Sequence, residues 1–136
     1  MANYYASCRT NYFKVKDVNA FQADIESIPG IDVIVGSESI CILGDDPDGA
    51  GWPAWIHDEE TGEDIEIDFF QEVAKHLADG EVAIFMEAGA EKLRYITGFA
   101  LAINNKGEME TISLQNIYDL AKNLTDRPED IESAEY

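Results

Sequence analysis

The order of elements legible in this 136-residue chain, β-α-β-β-β-β-α-β-β-β-α, predicts an α+β fold in one domain: an antiparallel sheet with about three helices packed mainly on one face. Three observations carry that prediction. Most of the strand candidates are joined by hairpin-length connections, which serve antiparallel neighbours and are too short for parallel crossovers. Three segments place apolar residues at helical spacing behind a capping side chain. A hydrophobic content of 46%, with aromatics spread along the chain, supplies one core, and no linker or repeat divides it.

"YYASCRTNYFKVK" has the aromatic and β-branched content of a pleated strand over residues 5–16. Asp17 then N-caps a helix whose apolar face is Val18, Phe21, Ile25 and Ile28, ended by Pro29-Gly30. Two short strands follow, 31–35 and 40–43, around the turn Gly36-Ser37-Glu38-Ser39. After "GDDPDGAG", "WPAWIHD" reads as an edge strand or a strand start because Pro53 cannot donate to a ladder. "EETGED" turns it back into "IEI", with Ile65 and Ile67 on one face and Glu66 on the other. Strand alternation predicts partial burial for both Trp52 and Trp55.

Asp68 caps a second helix, with Gln71 at the reciprocal position, Phe69, Phe70, Val73, Ala74 and Leu77 on the buried side, and Gly80 past its end. Three strands, 81–87, 93–103 and 108–112, are expected next, joined by residues 88–92 and by Asn104-Asn105-Lys106-Gly107. Ser113 is expected to cap the last helix, with Leu114, Ile117, Tyr118, Ala121 and Leu124 facing inward. Residues 1–125 thus read as the domain, and 126–136, rich in charge and Pro, as an acidic, loosely ordered tail.

Twenty-eight acids against nine Lys and Arg give a formal charge of -19. That field repels nucleic acid and anionic membrane and attracts basic surfaces. A salt-adapted origin fits poorly, since Lys outnumbers Arg and Ile is abundant. Cys8 and Cys41 sit in apolar runs without metal spacing, which predicts buried, reduced thiols and a cytoplasmic setting. Neither an export signal nor a membrane span is expected.

Sites of chemistry are sparse. "GDDPDGAGW" fails the EF-hand pattern: counting from Asp46, position 5 is Ala50 and position 12 is His57. His57 has no second histidine at i+4 and no helix to hold a metal cluster, and His76 fits a boundary position in the second helix. No nucleophile elbow or phosphate-cradling glycine loop occurs. No catalytic residue, metal or cofactor is therefore assigned, and a non-enzymatic role is favoured over an enzymatic one.

Two constellations remain. The first is carboxylate-rich: Asp45, Asp46 and Asp48 in one loop, then Asp58, Glu59, Glu60, Glu63, Asp64, Glu66 and Asp68 along the adjoining hairpin, with Glu129, Asp130, Glu132 and Glu135 in the tail. The second gathers three of the nine basic residues, in "CRTNYF" and "EAGAEKLRYITGF", as a candidate polar pocket of Arg9, Tyr12, Glu87, Lys92, Arg94 and Tyr95 near Glu91. Cross-strand ion pairing within an acidic protein is the preferred explanation of these residues, and a contact surface or small polar pocket the alternative.

"RTNYFKVKD", "EAGAEKLRYITGFALAINNKGE" and the closing "EY" resemble a family of small acidic proteins carried by bacterial phages, plasmids and conjugative elements. The resemblance spans most of the chain and brings no catalytic signature. It implies an accessory protein in a bacterial cytoplasm, of anti-restriction or anti-CRISPR type. The expected function is that of a DNA mimic, a monomer or homodimer whose carboxylates occupy a basic nucleic-acid-binding surface where phosphates would sit. A small enzyme or ligand-binding domain using the Arg9/Arg94 pocket is the alternative. An acidic assembly protein is a third reading, and it predicts an exposed apolar patch and a symmetric interface.

Overall fold

A buried threonine marks the end of the first strand. The computed structural model describes residues 5–44, 51–91 and 95–134. In it β1 spans Tyr5–Thr10, shorter than its aromatic content predicts, and beyond it only Phe13 and Val15 form single bridges, to Ile40 and Leu77. Thr10 is 2% exposed; its hydroxyl accepts from Ile42 N (2.8 Å) and donates to the carbonyl of Asn11 (2.8 Å). Asn11 then leaves the ladder. Its N–H still donates to Ile84 O (3.1 Å), but its Oδ1 rather than its carbonyl accepts from Ile84 N, and its Nδ2 donates to Val82 O, so side-chain bonds take over where the strand pairing ends.

The helix α1 (Val18–Ile25) starts as expected, with the Asp17 side chain accepting from the N–H groups of Asn19 and Ala20. Strands β2 (Ile31–Val35) and β3 (Ile40–Gly44) form the predicted hairpin. The hairpin β4 (Trp55–His57) and β5 (Asp64–Glu66) is a separate two-stranded sheet. In α2 (Phe69–Ala74) Asp68 caps by accepting from Gln71 N. The Gln71 side chain does not complete a reciprocal box. It donates instead to the carbonyl of Gly107, tying the helix start to the turn that follows β7.

Strands β6 (Val82–Glu91), β7 (Tyr95–Asn104) and β8 (Met109–Ser113) complete the main sheet, whose order is β2-β3-β1-β6-β7-β8 with every pair antiparallel. Residues 88–91, expected in a connection, are paired strand: Ala88, Gly89 and Ala90 lie opposite Gly98, Thr97 and Ile96. Their small side chains carry little strand propensity, and pairing on both sides, with β1 and β7, decides the conformation.

One face of this sheet is covered by α1 and α2. The core consists of Phe21 and Ile25 from α1, Phe69 and Val73 from α2, and Ile42, Phe85 and Ile103 from the sheet, with Leu77 and Phe13 closing the side. Trp52 stacks on Phe69 (5.6 Å) and meets Phe85 edge-on (5.2 Å). His76 Nε2 lies 2.7 Å from Asp24 Oδ2, joining the end of α2 to α1.

The third helix departs from expectation. α3 spans only Asn116–Ala121 and has no side-chain cap. Ser113, expected as the cap, is the last residue of β8, and its N–H donates to Asn116 Oδ1 (2.6 Å). Leu114, Ile117 and Leu124, expected to face inward, are 51%, 58% and 88% exposed. Their spacing is that of an amphipathic helix, but within the described residues no element packs over them. In the tail, Pro128–Asp130 forms a short 3-10 turn and Ala134 N donates to the Tyr118 hydroxyl (2.7 Å).

Candidate partner-binding sites

Alternation along the strands separates the two constellations picked out in the sequence. In the register Arg9–Met86–Ala100–Ile112 the side chains point away from the helices, whereas Cys8, Glu87 and Phe99, one residue displaced on each strand, point towards them. Arg9 and Glu87 therefore leave the sheet on opposite sides and do not converge. Arg9 is exposed and spends one donor on the Thr10 carbonyl (3.2 Å). Tyr12 is 54% exposed near Gly36, away from both. Lys92 and Arg94 lie outside the described residues, as do the side chains of Glu91 and Tyr95.

Glu87 has a local task. Its Oε1 accepts from Trp52 N (2.8 Å) and from the Cys8 thiol (3.7 Å), fixing the chain as it enters the aromatic core. Gly51, in the left-handed region at φ 95°, lets the backbone pass; a Cβ there would run into the Glu87 carboxylate. Burial first, and the charge and hydrogen bond of Glu87 second, push the Cys8 thiol up to about 12. Such a thiol stays protonated and unreactive at neutral pH. Both cysteines are free, and Cys41 is buried.

The acidic hairpin is built by its own first carboxylate. Asp58 N donates to Glu63 O, Asp58 O accepts from Gly62 N (both 2.8 Å), and Asp58 Oδ1 accepts from Glu60 N (2.9 Å). Asp58 is thus a half-buried turn former, and Asp68 is spent on the cap of α2. Glu59, Glu60, Glu63, Asp64 and Glu66 are exposed. Among the described residues, no lysine or arginine forms an ion pair with Glu59, Glu60, Glu63 or Glu66; the cations that do pair, Lys75, Lys122 and Arg127, serve Glu72, Asp119 and Asp130. Asp45, Asp46 and Asp48 lie outside the described residues.

The sequence reading missed the aromatic beside these acids. Trp52 is buried, but Trp55, expected to be partly buried, is 58% exposed and sits directly opposite Glu66 in the hairpin register. Ile65, on the other hairpin face, is 48% exposed while its partner Ile56 packs against the core. A two-stranded ribbon covers only part of the core and cannot bury both of its faces. Pro53 was the legible signal, since it places this segment outside the main ladder.

A second open surface lies on the sheet itself. Opposite the helices, Ser7, Ala88, Gly98 and Ala100 form the floor of a shallow trough of about 640 Å³, walled by Met86, Ile112 and Leu114. Leu114 leans over Gly98, where an added Cβ would sit 3.2 Å from its side chain.

No group of three or more metal-ligating side chains, and no helix long and apolar enough to cross a membrane, occurs among the described residues. No protein-family model, curated protein or solved structure significantly matches the chain.

Proposed function

We propose that this chain is a non-enzymatic binding protein whose acidic hairpin occupies the basic surface of a nucleic-acid-binding protein. The observation that carries the reading is the exposed Trp55 beside Glu66, on a hairpin where Glu66 and the exposed Glu59, Glu60 and Glu63 have no lysine or arginine partner among the described residues. A cleft that binds nucleic acid is lined with Lys and Arg placed to meet about one phosphate charge per 1.7 Å of duplex axis. Carboxylates held out on a narrow ribbon offer those cations an alternative anion. Trp55 adds what phosphates lack, an aromatic face on which an arginine can stack. Tryptophan is also among the residues most enriched at binding hot spots.

The resemblance to proteins of phages, plasmids and conjugative elements supplies the setting. The partner is a host defence nuclease or other nucleic-acid-handling protein of a bacterial cytoplasm, and the chain is its anti-restriction or anti-CRISPR antagonist.

The test is capture of proteins from a bacterial lysate on the immobilised chain, eluted by a salt gradient and identified by mass spectrometry. The expected result is a nucleic-acid-binding protein that elutes early in the gradient and that DNA competes away. It should be lost when Glu59, Glu60, Glu63 and Glu66 are changed to Gln, and weakened by Trp55→Ala. Equal retention by the Gln variant would exclude the hairpin as the binding element.

A further inference from the structure

We propose that the open face of the six-stranded sheet is an interface with a second copy of this chain, forming a two-fold dimer. This surface is distinct from the acidic hairpin and does not depend on the role proposed for it. Four features identify the occupant.

The first is area. Met86, Ile96 and Ile112 on the sheet and Leu114 just past β8 are each exposed by half or more, and so are Ile117, Leu120 and Leu124, which follow at i, i+3 and i+7 through α3 and the turn after it. A stable dimer needs about 800 Å² from each partner, and seven large apolar side chains so exposed supply area of that order. Monomers seldom carry such a surface uncovered.

The second is continuity. Leu114 lines both the trough on the sheet and a neighbouring hollow bounded by Ile96, Ile117 and Tyr118, so sheet and helix present one surface.

The third is charge. On a molecule of net charge -19, the four central strands of this face, β3, β1, β6 and β7, carry no acid by register among the described residues. By register its described charges are Arg9 near the centre and Asp32 and Glu110 on the two edge strands. A basic partner would be held by acids around the contact. A second copy, itself highly acidic, can approach only where they are absent, and depletion of charge with Met and Arg retained is the composition of an interface core.

The fourth is shape. The same surface holds a trough floored by small residues, with Met86 standing on its β6 side and Ile112 and Leu114 on its β8 side. A two-fold axis can set one copy's apolar wall into the other's trough, the self-complementarity an isologous interface requires.

Sedimentation equilibrium of the full chain, over a range of protein concentrations at low and high salt, tests this. The expected result is twice the 15.1 kDa chain mass, with tighter association as salt screens the mutual repulsion. Ile112→Glu and Met86→Glu should each return the mass to one chain while leaving the far-UV circular dichroism and thermal midpoint of the dilute protein unchanged. The charge-neutralised hairpin variant should still dimerise. A wild-type chain that stays monomeric at every concentration and salt would overturn the proposal, and so would a dimer unaffected by both folded variants. A monomer whose Met86 methyl resonance shifts only on adding a basic amphipathic peptide would give the face to another kind of partner and overturn it equally.

Discussion

Phe85 and Met86 are neighbours in β6, yet one is fully buried and the other 55% exposed. The contrast continues in β7, where Leu101 and Ile103 are covered while Ile96 is 55% exposed, and on to Ile112 of β8 at 69%. Antiparallel sheets commonly bury one face and solvate the other, and the solvated face is normally polar. Here the uncovered face is as apolar as the covered one. The helix-facing side is therefore built for stability, and the open side carries hydrophobic residues that folding of the single chain does not use.

The largest expected effect lies on the covered side. Phe85→Ala should cost about 3–5 kcal/mol in chemical denaturation, since its ring meets those of Trp52, Phe69 and Phe70. Met86→Ala, measured at low protein concentration, should stay within about 0.5 kcal/mol of wild type. Similar losses at both positions would erase the distinction between the faces.

Next in size is Thr10→Val. It keeps the side chain's shape but leaves Ile42 N without its acceptor in the core, and should cost about 1–3 kcal/mol. Thr10→Ser, retaining the hydroxyl, should recover much of that, which separates the hydrogen bond from packing.

A smaller, pH-dependent effect belongs to Cys8. Its thiol is raised from the ordinary 9.0 to about 12 in the folded chain, by burial first and by Glu87 second. Below pH 9 both folded and unfolded chains hold the proton, and the full contribution to stability is present. Between 9 and 12 the unfolded chain releases it first, so stability falls as pH rises through that window. Alkylation of native protein at pH 9 should accordingly be slow at Cys8 and become fast on unfolding. Glu87→Gln should speed the native reaction partway, since burial remains.

Local chemistry made much of the fold legible. The Asp17 and Asp68 caps, the β2–β3 turn and the Asn104–Gly107 connection each announce themselves within a few residues, and the structure contains all four. The extension of β6 through Ala88, Gly89 and Ala90 did not, because two distant partner strands impose it. The exposure of α3 was hidden for a related reason: helical spacing identifies an apolar stripe but not whether anything covers it.

The hairpin was legible as acidic and as a turn. Its exposed tryptophan was not, since alternation predicts which face a residue takes and not whether that face has a neighbour. The split between Arg9 and Glu87 required the register of β1 on β6, a pairing between residues about eighty positions apart.

The most direct test of the proposed function is the salt dependence of affinity for the captured nucleic-acid-binding partner, measured for the wild-type chain and for the variant with Glu59, Glu60, Glu63 and Glu66 changed to Gln. A steep loss of wild-type affinity with rising salt, flattened in the variant together with much weaker binding at low salt, is the predicted result. Equal affinities and equal slopes would mean that the hairpin carboxylates are only a solvated coat, and would contradict the role assigned to them.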